Sequence, residues 1–266
     1  MPARPITFLS DYGYEDEFAG ACRAVIARIA PEAPLIDLTH GVPAGDVRRG
    51  ALALADALPF APDGVHLAVV DPGVGTARPA IAVRAAAADR ILVGPDNGLL
   101  WPALERFGGP AGAVEVSASP FRLEPVSATF HGRDLFAPVA ARLALGAALD
   151  EAGDPLDPAS LKRLELPAAR VEAGRVVAEV VAVDRFGNAS LSATPEHLGL
   201  RAGERTVVEA GGEGHETPLA TTFGDVEEGK TLLYLTSSGR LALAVNRGSA
   251  AEALGLGVGD EVVIRR

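Results

Sequence analysis

Two hydrophobic rhythms divide this chain, and the place where one replaces the other constrains its fold more than any other feature. Through about the first 150 residues, apolar strand-like runs alternate with segments of helical period. "PITFLSD" reads as a strand, and residues 15–29 then carry Phe18, Cys22, Val25, Ile26 and Ile29 on one helical face. "APLIDLT" and "GVHLAVVD" follow as strands, with the helix "GDVRRGALALADAL" between them. "AIAVRA" and "RILVGPD" are further strands; a helix over 98–107, the strand "AVEVSA" and a helix over 133–145 complete the series. This alternation predicts an α/β domain with a mostly parallel sheet flanked by helices. Residues 150–172, rich in Pro, Asp and Ala, break the pattern. Beyond them, "RVVAEVVAVD", "ERTVVEA", "TLLYLTS", "RLALAVN" and "DEVVIRR" are short strands separated by Gly-containing turns. That is an all-β domain, a sandwich or a barrel. The expected organisation is an α/β domain over 1–152, a linker over 153–172 and a small β domain over 173–266.

Composition narrows the class of partner. The formal net charge of −11 argues against nucleic acid or an anionic membrane surface, both of which require a basic footprint. It does not exclude a cationic small molecule. The single cysteine, Cys22, excludes an intrachain disulfide and fits a reducing compartment; on its helix it is expected to be a small buried apolar group. With no apolar leader-like run and no uninterrupted apolar stretch of about 18 residues, the expectation is a soluble, cytoplasmic protein.

Polar residues gather at predicted strand ends, where ligands of open α/β sheets bind. Asp11 ends the first strand, Asp71 ends "HLAVVD", and Asp96 and Asn97 follow "ILVGP". Each alone reads as a helix cap. The stretch "VVDPGVGTARPAIAV" adds Arg78 seven residues after Asp71, across a Gly turn. A surface salt bridge is the plain explanation for such a pair. His131 stands before the last helix of the first half, followed by Gly132, Arg133 and Asp134. In the second half, "DRFGN" places Asp184, Phe186 and Asn188 in a turn, and Ser237, Ser238 and Gly239 mark another.

Taken together and in order, "SDYG", "DLTHGVPAGDVRRGA", "VVDPGVGTAR", "GPDNGLL", "FHGRDLFAP", "DRFGN" and "TSSGRLALAVNRGSA" span nearly the whole chain. They resemble the S-adenosylmethionine (SAM) hydroxide adenosyltransferases, adenosine-forming hydrolases related to the fluorinase and chlorinase enzymes. The resemblance implies an N-terminal α/β domain, a C-terminal β-barrel and a homotrimer whose sites close between the N-terminal domain of one subunit and the C-terminal domain of the next. It implies a catalytic triad of Asp71, Arg78 and His131. It assigns Asp11 to the ribose hydroxyls, Asn188 to the adenine edge and Phe186 to packing on the ligand. Asp184 and Ser237 fall to the methionine amine and carboxylate, and backbone around Val245 to the adenine. The halogenating relatives carry Tyr at the position of Asp71 and differ at Val74 and at His131 and Gly132, and the fluorinase has Trp where this chain has Gly45. A carboxylate beside a desolvated halide is electrostatically prohibitive, so Asp71 argues against halogenation.

The implied reaction is attack of water on the ribose C5′, releasing adenosine and methionine. Its leaving group is a neutral thioether, so it asks for neither a general acid nor a cofactor, only an oriented and partly deprotonated water. Asp71 and His131 can accept hydrogen bonds from that water, and Arg78 can hold the carboxylate. Two other readings remain at this stage. One is a metal-dependent hydrolase using Asp11, Asp71, Asp96 and His131, although the chain has no H-x-x-x-H pair. The other is a non-catalytic adenosine- or SAM-binding protein.

Overall fold

Strand β1 (Ile6–Ser10) is buried at all five positions, as a strand must be when helices cover both faces of its sheet. The computed structural model describes residues 2–265, which divide into two units at the Leu164–Glu165 junction. The first unit continues with α1 (Phe18–Ile29), β2 (Leu35–Thr39), α2 (Val47–Ala57), β3 (Val65–Val69), β4 (Ala80–Ala85) and β5 (Ile91–Pro95). It ends with α3 (Trp101–Arg106), β6 (Pro110–Glu115), α4 (Ala137–Ala144) and β7 (Asp154–Leu156). The sheet order is β2-β1-β3-β5-β4-β6-β7. Strands β2, β1, β3 and β5 are mutually parallel, β4 is antiparallel to both β5 and β6, and β7 is antiparallel to β6. Five of the seven strands therefore run in one direction.

Alternate residues feed two cores. Ile6, Phe8, Leu67 and Val69 pack with Cys22, Val25 and Ile26 of α1 and Val139 and Leu143 of α4. Leu9, Ala68, Val70 and Leu92 face the other way, onto Ala51 and Leu54 of α2 and Trp101 and Leu104 of α3. The Cys22 thiol is fully buried, and that burial pushes its pKa up to about 12, so it stays an inert apolar group. Helix α1 starts three residues later than its periodicity suggests. The last helix opens on a π-helical turn, Gly132–Phe136, before α4 begins.

A buried polar pair also lies within this unit. The His66 ring sits between Thr7 Oγ1, 2.9 Å from Nδ1, and Arg90 Nη1, 3.1 Å from Nε2. Because a guanidinium only donates, Nε2 accepts and Nδ1–H points to the threonine. Burial first, and then the Arg90 charge, bring the His66 pKa from 6.5 down to about 3. Between those values the unfolded chain binds a proton that the native state does not. His66 thus contributes stability above about pH 6.5 that is lost as the pH falls toward 3. Thermal melts of wild type and His66→Gln across that range should differ in slope, the variant being the less pH-dependent; parallel curves would refute this.

The second unit contains β8 (Arg170–Glu172), β9 (Arg175–Val183), β10 (Ala189–Leu191), β11 (Arg205–Ala210) and β12 (Glu213–Ala220). Strands β13 (Thr231–Leu235), β14 (Leu241–Val245) and β15 (Glu261–Arg265) complete it. The pairing order β10-β14-β13-β12-β11-β15-β9, closed by β9 on β10, makes a seven-stranded barrel, with β8 added outside β9. Closure decides for a barrel over a sandwich. Val176, Val180, Leu191, Val208, Leu233, Leu243, Val262 and Ile264 fill it. Strand β12, "EGHETPLA", escaped sequence analysis because its first half is polar and largely exposed.

Candidate active site

The chain leaves β3 at a buried Val70 and turns sharply through residues 71–79. Val74 N–H donates to Asp71 O (3.2 Å), and Thr76 closes back onto Gly73 O through both its N–H and its hydroxyl. Gly75 has φ +77°, and a side chain there would collide with Ala128 O, so only glycine serves. The turn brings Arg78 back onto Asp71. Arg78 Nε donates to Asp71 Oδ1 at 3.1 Å, Nη2 donates to Oδ2, and Nη1 donates to Pro79 O at 2.8 Å. The side chains are only 9% and 6% exposed, so this is a fork-on-carboxylate pair shielded from solvent, unlike a surface salt bridge. The guanidinium also lies 5.4 Å above the Phe136 ring.

His131 caps the π-helical turn, and its Nδ1 stands 3.4 Å from Arg78 Nη2. Arginine can only donate, so Nδ1 is the acceptor and a neutral ring carries its hydrogen on Nε2. Desolvation, then the Arg78 charge, hold the His131 pKa below its usual value. Residues 53 positions apart thus meet around one guanidinium.

Asp71 and His131 line a cleft of about 500 Å³ together with Asp11, Tyr12, Phe18 and Gly132. Asp11 Oδ2 accepts the Gly45 N–H at 2.8 Å, and Gly45 itself adopts φ +73° on the cleft wall. Tyr12 is a residue that sequence reasoning missed. Its ring packs on Phe8, Phe18 and Phe130, and a Cβ at position 132 would overlap its hydroxyl. Gly132 is therefore the point of close approach to Tyr12, one residue along from Asp11 in the quoted "SDYG".

Asp96 and Asn97 do not join this group. Asn97 Nδ2 donates to Val70 O (2.8 Å) and its Oδ1 accepts Leu99 N–H, tying the loop after β5 to the end of β3. Asp96 Oδ1 accepts the Lys162 N–H at 2.9 Å. Both clasp the backbone. Among the described residues, no group of three or more His, Cys, Asp or Glu is placed to hold a metal ion.

In the barrel, Asp184, Phe186 and Asn188 form one turn between β9 and β10. Asp184 Oδ1 accepts the N–H of Phe186 (2.8 Å) and of Asn188 (3.0 Å), and Oδ2 accepts Asn188 Nδ2 (2.8 Å). The turn leaves the Phe186 ring 64% exposed, stacked only by Arg185. The register Ala189↔Leu243 sets Asn188 toward the Val245 end of β14, where Val245 is buried. Ser237 sits exposed in the hairpin before β14, at the strand's other end.

Profiles of the SAM hydroxide adenosyltransferase N-terminal and C-terminal domains match residues 6–153 and 178–263. The chain belongs to that family. A Salinispora tropica protein named (R)-S-adenosyl-L-methionine hydrolase is 50% identical, over 98% of this chain and 97% of its own length. One of the same name from Thermus thermophilus is 45% identical, over 97% and 98%. The solved structure of an uncharacterized conserved protein from Thermotoga maritima is 39% identical and superposes with a TM-score of 0.92, covering 98% of this chain and all of that one. Within the SAM hydroxide adenosyltransferase family, then, both units of this member are accounted for. No helix among its described residues is long and apolar enough to cross a membrane.

Proposed function

We infer that this chain is a SAM hydrolase: water attacks the ribose C5′, the C5′–S bond breaks with its electron pair passing to sulfur, and adenosine, L-methionine and one proton are released. The observation that carries the reading is the shielded Asp71–Arg78 fork with His131 on the same guanidinium, at the wall of one cleft. Arg78 occupies one lone pair of each Asp71 oxygen and fixes the carboxylate in a single orientation. Each oxygen keeps a second lone pair for a water hydrogen. Asp71 is therefore the group that receives the proton. Neutral His131 presents Nε2–H and serves to position the nucleophile. Asp11, held by Gly45 N–H, is placed to accept from the ribose hydroxyls. The substrate is a sulfonium cation, which suits an acidic chain. The neutral thioether departs without protonation, so no cofactor is required. Named relatives with the same activity in their names support this assignment. Incubating the purified protein with SAM and quantifying adenosine and methionine tests it; stoichiometric release supports it, and intact SAM would refute it.

The working form is a homotrimer in the cytoplasm, acting on a small molecule and neither nucleic acid nor membrane. Supporting the shared site, the family resemblance puts ligand-contacting positions in both units, and the Phe186 ring stays largely exposed although Arg185 of its own turn stacks on it. Asn188→Ala should weaken SAM binding by about 1–3 kcal/mol, the cost of a buried donor left unpaired, and largely spare the single-turnover rate. Mixing Asp71→Asn trimers with Asn188→Ala trimers under exchange, at a SAM concentration too low to load the Asn188→Ala sites, should regenerate activity, because hybrids contain some sites with both halves intact. No regain, or a fully active monomer by light scattering, would rule out a shared site.

A further inference from the structure

The mechanism makes no use of His40, a completely buried histidine from the quoted "DLTHG" stretch. The strands that flank it explain its position. Strands β1 and β2 pair in parallel, and their register shifts between Phe8 and Leu9, so that Leu9 faces Thr39 just before Ser10 and His40. The shift seats His40 Nδ1 2.7 Å from Ser10 Oγ, while Nε2 lies 3.3 Å from Asp37 Oδ1. Asp37 in turn pairs with Arg23 at 3.1 Å. The ring is wedged between Phe8 at 4.6 Å and Tyr14 at 5.1 Å, both edge-on. Burial, the largest influence, holds its pKa below the usual value, so the ring is neutral, with Nδ1 accepting from the serine hydroxyl and Nε2–H close to the Asp37 carboxylate but not in a well-aligned hydrogen bond.

A serine, a histidine and an aspartate in line suggest a nucleophile, but Ser10 is fully buried and cannot reach substrate. Its oxygen has another use: it accepts the Tyr12 N–H at 3.3 Å. The His40 carbonyl accepts the Gly13 N–H at 2.8 Å. One histidine therefore holds the segment 11–13 twice, through Ser10 and through its own backbone. That segment carries Asp11 and Tyr12, two walls of the cleft. We propose that His40 is a positioning residue, which acts through Ser10 to fix the loop bearing Asp11 and Tyr12 in its substrate-binding geometry. Hydrogen bonds in the low-dielectric interior are electrostatically stronger than in water, which lets the buried Ser10–His40 pair hold the loop. The proposal rests on the reading of the cleft as the SAM site.

The test uses the full-length protein. His40→Leu and Ser10→Ala should each raise KM for SAM and Kd for adenosine about tenfold, the order expected from one lost buried hydrogen bond, with kcat within about threefold. The double variant should cost little more than either single one, because both break one chain. His40→Asn, whose Oδ1 can replace Nδ1 as the acceptor, should recover most of the loss. Amide exchange at Tyr12 and Gly13 should accelerate in the single variants while the β-barrel is unchanged, a readout that does not depend on turnover. If His40→Leu fails to fold, Ser10→Ala decides alone through KM and Tyr12 exchange. Unchanged KM and exchange in a folded Ser10→Ala variant, fully additive losses, or a collapse of kcat at constant KM would overturn the proposal. A wild-type protein that releases no adenosine would instead overturn the functional reading, and exchange at Tyr12 would still report on the positioning.

Discussion

Asp71→Asn should lower single-turnover adenosine release by about 10²–10⁴-fold while SAM still binds, the range typical of general-base assistance. The substitution preserves size and keeps one acceptor oxygen toward Arg78, so the fork between the two side chains is only half dismantled. What disappears is the charge that draws a proton from water. His131→Ala should cost a similar order, by releasing the water from its second contact. The two losses should not multiply: groups that act on one water lose their function together, and the double variant should fall close to the worse single one. Were Asp71 merely half of a surface ion pair, the variant would turn over normally and shift stability by at most about 1 kcal/mol. Rapid-quench measurement of adenosine at saturating SAM separates these outcomes, and full activity in Asp71→Asn would remove the carboxylate from the mechanism.

Arg78→Ala should be damaging in two ways. The Asp71 carboxylate is only 6% exposed and loses both guanidinium hydrogen bonds, so a shielded charge is left without its partner. Breaking such a pair from one side costs about 3–5 kcal/mol in stability, far more than the pair is worth intact. Turnover should fall by a further large factor, because both Asp71 and His131 lose the group that orients them. The double variant Asp71→Asn with Arg78→Ala should be more stable than Arg78→Ala alone, since no uncompensated charge remains. Denaturant melts of the three variants show this directly. If Arg78→Ala melts like wild type, the carboxylate is solvated in solution and the shielded geometry is not what holds it.

Much of this protein could be read before its coordinates. Hydrophobic period is a local record of burial: alternate residues for a strand, every third or fourth for a helix. It therefore distinguished the α/β unit from the all-β unit, and it predicted the elements that have one apolar face or are wholly apolar. It failed for β12, whose ladder bonds are made by backbone and whose side chains are mostly polar, and it could not show that the last helix of the first unit opens on a π-turn. Residue types at strand ends marked Asp11 and Asp71, and the start of the last helix of the first unit marked His131, but strand ends marked Asp96 and Asn97 equally. Only the folded chain shows the latter pair bound to Lys162, Leu99 and Val70. Which polar groups meet depends on sheet order and strand register, and these are set by contacts between residues far apart in sequence. The 53-residue span from Arg78 to His131, the approach of Tyr12 to Gly132, and the contact of His40 with Ser10 beside a shift of register are all of that kind. The sequence alone determined the chemistry available to the chain; tertiary structure decided which of those groups share one site, because proximity across a sheet leaves no periodic trace along the chain.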